Sequence, residues 1–140
     1  MSTHPDLVSA QITLRLVVTD GPDRPVHADL CYTPRDPYAV RVGFHAGATD
    51  VVEWTFARSL LADGVAAPVG DGDVKVWPAN GERRGVCLSL SSPSGCALFE
   101  TPVTGLLDFL GQTYRVVPPG AESRFVDVDS ELADLLYPDS

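Results

Sequence analysis

The sequence predicts an α+β fold in a single domain: seven or so antiparallel strands in a curved sheet or barrel-like core, with two or three helices packed against it. Three observations lead there. Apolar and polar residues alternate along most of the first hundred positions, the pattern of strands with one buried face. Gly, Pro, Asn and Asp recur at short intervals between these runs, which gives tight connections and antiparallel neighbours. Twice, after Ala57 and after Pro102, the period lengthens to that of a helix, so helices follow sets of strands instead of alternating with them.

From Val8 to Val18 every even position is apolar, which predicts a long half-buried strand. Asp20-Gly21-Pro22-Asp23 turns the chain, and Val26, Ala28, Leu30 and Tyr32 repeat the alternation with His27 and Asp29 outward. After the turn at Asp36-Pro37, the chain between Asp36 and Gly64 carries a hairpin that runs into a helix. Val40, Val42 and Phe44 share one face with Val52, Trp54 and Phe56, while Arg41, His45, Glu53 and Thr55 take the other. Trp54 is therefore predicted as a core packing residue. Strong helix formers follow from Ala57 to Ala62, and Gly64 stands where a left-handed residue would end that helix.

Val65 to Gly70 reads as a looser stretch, and Gly70-Asp71-Gly72-Asp73 as a turn; neither the ligand spacing of a calcium loop nor the Lys of a phosphate loop is present. Val74 to Trp77 is a strand that closes at Pro78, with Trp77 on the face opposite Val74 and Val76. Val86 to Ser91 and Cys96 to Glu100 form a hairpin. Pairing Ser91 with Cys96 sets Cys87 against Glu100 and turns Val86, Leu88, Leu90, Ala97 and Phe99 inward. Thr101 and Pro102 are read as N-cap and first-turn residues of a helix with Val103, Leu106, Leu107 and Leu110 on its buried stripe. Gln112 to Val126, with Pro118-Pro119-Gly120, reads as an extended connection. A last helix is capped by Asp129 and carries Leu132, Leu135 and Leu136 as an apolar stripe. Each half thus orders its strands before its helix.

The chain of 140 residues is long enough to bury one core, with residues 1–6 expected to be a mobile tail. Ten basic residues against nineteen acidic ones give a net charge of −9, a field that repels nucleic acid and anionic membrane. Arg83-Arg84 is the only adjacent basic pair. No apolar run approaches the ~20 residues of a membrane span, and the N-terminus lacks the pattern of a secretory signal, so a cytoplasmic protein without membrane insertion is expected. Cys31, Cys87 and Cys96 are odd in number and lack zinc-ligand spacing, which points to free thiols. His4, His27 and His45 join no recognisable nucleophile motif, and Asp127 with Asp129 suit a helix cap better than a metal. Neither catalytic residues nor a cofactor are expected. Aromatic and aliphatic groups are the better candidates for a partner-binding site: Trp77, and the stripe of Leu132, Leu135 and Leu136.

Five stretches carry a family resemblance: DPYAVRVGFHAGATDVVEWTFAR from Asp36, LLADG from Leu60, GDGDVKVWP from Gly70, LSLSSPSGCALFE from Leu88 and FLGQTYRVVPPGAE from Phe109. Together they resemble the SsgA-like proteins of actinomycetes, regulators of sporulation and cell division, nearest the SsgB type. The resemblance implies a Whirly-like fold, a barrel-like core with helices at one end, and association as a homotrimer. It also implies a non-enzymatic regulator that positions or recruits the division GTPase FtsZ to septum sites during sporulation-specific division. Other division proteins such as SsgA would be among its partners, and the protein would concentrate at division septa. The alternative is a single-stranded nucleic-acid-binding module of the Whirly type, which the acidic balance disfavours. A hydrolase acting at the cell wall is a third, weaker reading.

Overall fold

A computed structural model describes residues 7–18, 20–45, 49–80, 84–93 and 95–124. Among these residues eight strands and two helices follow in the order β1 (Val8–Leu16), β2 (Arg24–Tyr32), β3 (Ala39–His45), β4 (Val51–Ala57), α1 (Arg58–Ala66), β5 (Val69–Asp71), β6 (Val74–Asn80), β7 (Arg84–Ser92), β8 (Gly95–Pro102) and α2 (Val103–Val116). All strands join one antiparallel sheet in the order β4-β3-β2-β1-β8-β7-β6-β5. Each half is therefore a four-stranded meander followed by a helix. The meanders meet along a short seam, where Arg15 pairs with Glu100 and Leu16 with Phe99.

The sheet curls into a half-barrel. Phe44 on β3 and Phe99 on β8 stand three strands apart, roughly 14 Å on a flat sheet at ~4.8 Å per strand. Their rings nevertheless stack with centroids 4.9 Å apart, which requires the sheet to bend toward its inner face. That face collects the apolar parity of nearly every strand: Leu14, Ala28, Leu30, Val40, Val42, Val76, Val86 and Leu88 are all buried there.

The helices close one end, each crossing to the other half's strands. α1, which follows β4, packs chiefly on β6 and β5; α2, which follows β8, packs chiefly on β1. Gly105 lets α2 approach β1 closely, since a Cβ there would lie 3.1 Å from Ile12 Cγ2. Gly64 does the same for α1. The helix continues past it to Ala66, and its φ is not positive, so it is not the left-handed stop that the local sequence suggests. It is a buried packing glycine beneath Val76.

Four further expectations change. Val69–Asp71 is a strand and not a loose stretch; it pairs with β6 through a two-residue turn in which Gly72 takes φ 62°, and this makes eight strands. Thr101 does not cap α2. It lies in β8, its hydroxyl donates to the Thr13 carbonyl at 3.1 Å where the β1–β8 ladder has parted, and Pro102 is the N-cap residue. Val103, Leu106 and Leu110 are buried as the spacing predicts, but Leu107 is 43% exposed, and Phe109 and Thr113 complete the buried stripe in its place. Finally, α2 runs through Gln112 to Val116, and the chain leaves helical geometry only before Pro118-Pro119. The expected last helix with Leu132, Leu135 and Leu136 lies outside the described residues.

Arg58, at the start of α1, is 2% exposed and joins the two helices. Its Nη1 donates to the Val117 carbonyl at 2.7 Å and the Thr113 carbonyl at 3.3 Å, and its Nη2 donates to Glu122 at 2.8 Å. The guanidinium lies 5.0 Å from the ring centroids of both Tyr32 and Tyr114. Burial pushes the Tyr32 phenol up to about 12, against the opposing pull of Arg58, and its hydroxyl donates to the Pro37 carbonyl. The hydrogen bond from Arg58 holds the Glu122 carboxyl below its ordinary 4.5. Because the folded value is the lower one, this stabilisation is full above pH 4.5 and is lost as pH falls through the folded value. Glu122→Gln should therefore flatten the acid limb of a melting-temperature-against-pH curve, leaving a smaller drop below pH 4.5 than in the parent. An acid limb unchanged in slope would detach Glu122 from the effect.

Candidate functional site

The end of the half-barrel opposite the helices is open. Strand parity aims Val52, Trp54 and Phe56 at the inner face, and their register partners Phe44, Val42 and Val40 confirm the alignment. Coverage declines along β4 toward that end: Phe56 is 2% exposed, Trp54 is half-buried, and Val52 is 47% exposed. The result is a groove of about 660 Å³. Its floor is Phe44, Phe99 and Leu90, one wall is Val52 and Trp54 on β4, and the other is the tip of the β7–β8 hairpin with Cys96 and Ala97. Arg24, His27 and His45 also border the groove, and no carboxylate lines it.

Trp54 thus has the predicted orientation without the predicted depth. It stacks on Phe56 with centroids 6.2 Å apart and leaves its other side to the groove. A fully buried aromatic would cost about 3 to 5 kcal/mol on truncation to alanine. For this half-covered ring Trp54→Ala should cost about 2 kcal/mol, measured by urea unfolding, and a loss near the full-burial figure would mean that the groove is closed in solution.

The outer face is polar and internally paired. His45 Nε2 lies 2.7 Å from Asp29, Gln11 donates to the same carboxylate at 2.9 Å, and Thr13 meets His27 at 3.2 Å. These hydrogen bonds, that to His45 foremost, hold the Asp29 carboxyl below its usual value. The pairings tie neighbouring strands across the sheet. Among the described residues no group of three or more His, Cys, Asp or Glu side chains is placed to hold a metal ion.

Trp77 lies on this outer face as the parity predicts, half-buried, with Cys87 as its register partner. The row continues from Cys87 to Glu100 and Arg15. Arg15 is held by Glu100 and, at 3.1 Å, by Asp23, while burial pushes the Cys87 thiol up. Leu132, Leu135 and Leu136 fall outside the described residues, so Trp77 is the one predicted partner-binding residue that the structure places. The structure puts it on the face opposite the groove. Sequence reading overlooked Arg24 and Val52. The available signal was parity: Arg24 stands on the inward side of β2, in register with Leu16, and a cation at the end of an apolar row marks where coverage stops.

Comparison with known proteins gives the family. The model of the family described as "Streptomyces sporulation and cell division protein, SsgA" matches residues 26–122. A Frankia casuarinae protein named sporulation-specific cell division protein SsgB is 56% identical over 138 residues, covering 98% of this chain and 96% of its own length. Its Streptomyces coelicolor namesake is 51% identical, covering 92% and 95%. Among solved structures, an SsgA-like sporulation-specific cell division protein from Thermobifida fusca superposes with a TM-score of 0.88 at 43% identity, covering 96% of this chain and 98% of that one. A structure described by mutations in SsgB that correlate to longitudinal cell division during sporulation of Streptomyces coelicolor gives 0.82 at 50% identity, covering 85% and 94%. With the family pattern running from β2 through α2 and relatives matching nearly the full length, the chain belongs to the SsgA family of sporulation and cell division proteins.

Proposed function

We propose that this protein is a non-enzymatic regulator of cell division that recruits FtsZ to future septum sites during sporulation, acting by contact as a homotrimer. Its place is the cytoplasm at division septa, with SsgA among its partners. The observation that carries this reading is near full-length likeness, 56% identity over 98% of the chain, to a protein named sporulation-specific cell division protein SsgB. The organisation of the polar groups supports a contact role: Arg15 and His45 are taken up by carboxylates of the sheet itself, and Arg58 is buried in the helix junction. Trp77 on the outer face, with Leu132, Leu135 and Leu136, supplies apolar anchors, and charges around them set specificity.

The test is co-sedimentation with FtsZ polymers, with light scattering to give the oligomer mass. The protein should pellet with polymerised FtsZ and remain in the supernatant without it. Absence from the pellet at tens of micromolar of both proteins, in a trimer of correct mass, would reject recruitment. A mobility shift of single-stranded DNA at physiological salt with micromolar affinity would favour the Whirly-type activity instead.

A further inference from the structure

The open end of the inner face combines three features that the family likeness does not assign. The first is exposure against parity. Val52 points to the inner face yet is 47% exposed, beside half-buried Trp54 and above the Phe44–Phe99 stack. Side chains placed for a core that nothing covers form an apolar trough.

The second feature is a free edge beside that trough. β4 is the terminal strand of the sheet, and among the described residues its backbone pairs only with β3. In an antiparallel ladder alternate residues turn their N–H and C=O groups to one neighbour and then the other, so half of those on β4 face outward. The strand is seven residues long and carries no proline and a single charge, Glu53. Edges protected against pairing are short, charged, bulged or proline-bearing, and on this one Glu53 alone stands against pairing. The opposite edge, β5, has only three residues.

The third feature is charge. The chain carries −9 overall, yet the lining includes Arg24 and no Asp or Glu, while His27 and His45 touch the groove from strands that turn their side chains to Thr13 and Asp29 on the outer face. His45 is bound to Asp29, and Arg24 forms no ion pair among the described residues, so the guanidinium is the cation available at the mouth. One such cation is too few to hold a nucleic acid, whose binding depends on neutralising several phosphates. It suits a carboxylate on a short chain.

We propose that this end is a binding site for an extended acidic peptide of a partner protein, laid along the free edge of β4. Backbone hydrogen bonds to β4 would hold the strand, as when a peptide adds to an exposed sheet edge. Alternate apolar side chains would enter the trough between Trp54, Val52 and Phe99, and an acidic residue would meet Arg24. The site does not depend on FtsZ being the partner, and it differs from the Trp77 face.

The experiment pans a random library of short peptides displayed on phage against the intact immobilised chain, with the Val52→Asp chain in parallel as the subtractive control. Enriched peptides should be acidic, with apolar residues at alternate positions. A fluorescein-labelled synthetic copy should bind with an affinity reduced at least about tenfold by Val52→Asp and about fivefold by Arg24→Glu. Both substitutions are at exposed positions, and circular dichroism verifies the fold of each; Arg24→Glu alone suffices should Val52→Asp melt early. Tryptophan emission should shift on binding in Trp77→Phe and stay unchanged in Trp54→Phe. The proposal is overturned by no enrichment, by enrichment of basic peptides, or by an affinity indifferent to both groove substitutions. It is also overturned if light scattering shows a second copy of the chain occupying the groove, dispersed by Val52→Asp. The adaptor reading is judged separately: FtsZ co-sedimentation that survives Val52→Asp and Arg24→Glu removes the groove from that role only. Peptide capture in a chain that ignores FtsZ polymers removes the adaptor reading only.

Discussion

Arg58→Leu is expected to destabilise the protein by about 3 kcal/mol, lowering its melting temperature by roughly 6 to 12 °C. The carbonyls of Thr113 and Val117 lose their guanidinium donor at the C-terminal end of α2, in a place where Arg58 itself is 2% exposed. The Thr113 carbonyl keeps the Val117 N–H at 2.8 Å, so one buried group, the Val117 carbonyl, loses its partner, at a cost of about 1 to 3 kcal/mol. The rings of Tyr32 and Tyr114 lose the cation held between them, an interaction worth about 0.5 to 2 kcal/mol. Leucine recovers part of this through apolar burial. Glu122, whose side chain is 18% exposed, can turn to water, so its lost partner adds little. Glu122→Gln should therefore cost well under half as much. If Arg58→Leu melted within about 2 °C of the parent, α1 and α2 would be held by apolar packing alone.

The second large effect is at Gly64. Alanine is favoured over glycine by about 1 kcal/mol inside a helix, so local propensity predicts that Gly64→Ala stabilises. The structure predicts the reverse. A Cβ at this position would stand 2.3 Å from Val76 Cγ1, 2.5 Å from its Cβ and 3.3 Å from its carbonyl carbon. Val76 is 0% exposed, and the clash includes atoms that no side-chain rotation can move. α1 must lift off β6, and overpacking of this kind costs about 1 to 3 kcal/mol and occasionally more. The expected net change is a loss of about 2 kcal/mol in urea unfolding. A double-mutant cycle identifies the cause. Val76→Ala removes the Cγ atoms, so the pair should be less destabilised than the sum of the single changes by about 1 kcal/mol. Strict additivity would place the strain elsewhere.

Gly64 also shows where the sequence stopped being readable. Glycine after a helical run signals a terminus by a local rule, and the local rule does not contain β6. The same limit hid β5, because Val69-Gly70-Asp71 is too short to display a period and is fixed by pairing with β6. By contrast, the β7–β8 hairpin was legible down to its register, Ser91 with Cys96 and Cys87 with Glu100. There the alternation runs long on both sides of one short turn, and each side confirms the other. In α2, sequence spacing allowed Leu107 on the buried stripe; packing on β1 selected Phe109 instead. The candidate site was half legible. Parity aimed Val52 and Trp54 correctly, but parity names a face and says nothing of whether a helix reaches far enough to cover it. Arg58 carried no local sign at all, since its partners Thr113, Val117 and Glu122 are brought to it only by the fold.

The exchange of helices between the two meanders has a consequence for how the protein comes apart. Were each helix to cover its own strands, the halves could melt one after the other, joined by the short β1–β8 seam and the bonds at its two ends, Val17 N–H to the Leu98 carbonyl and the Thr101 hydroxyl to the Thr13 carbonyl. Because α1 lies on β6 and α2 on β1, each half lacks its own lid and is completed by the other. Heat should therefore remove both in one cooperative step, with calorimetric and van't Hoff enthalpies equal. Fragments cut at the exposed Ala67-Pro68 connection should be unstructured alone and regain the sheet's circular dichroism on mixing. Separate melting of the two fragments would show that the halves are autonomous after all.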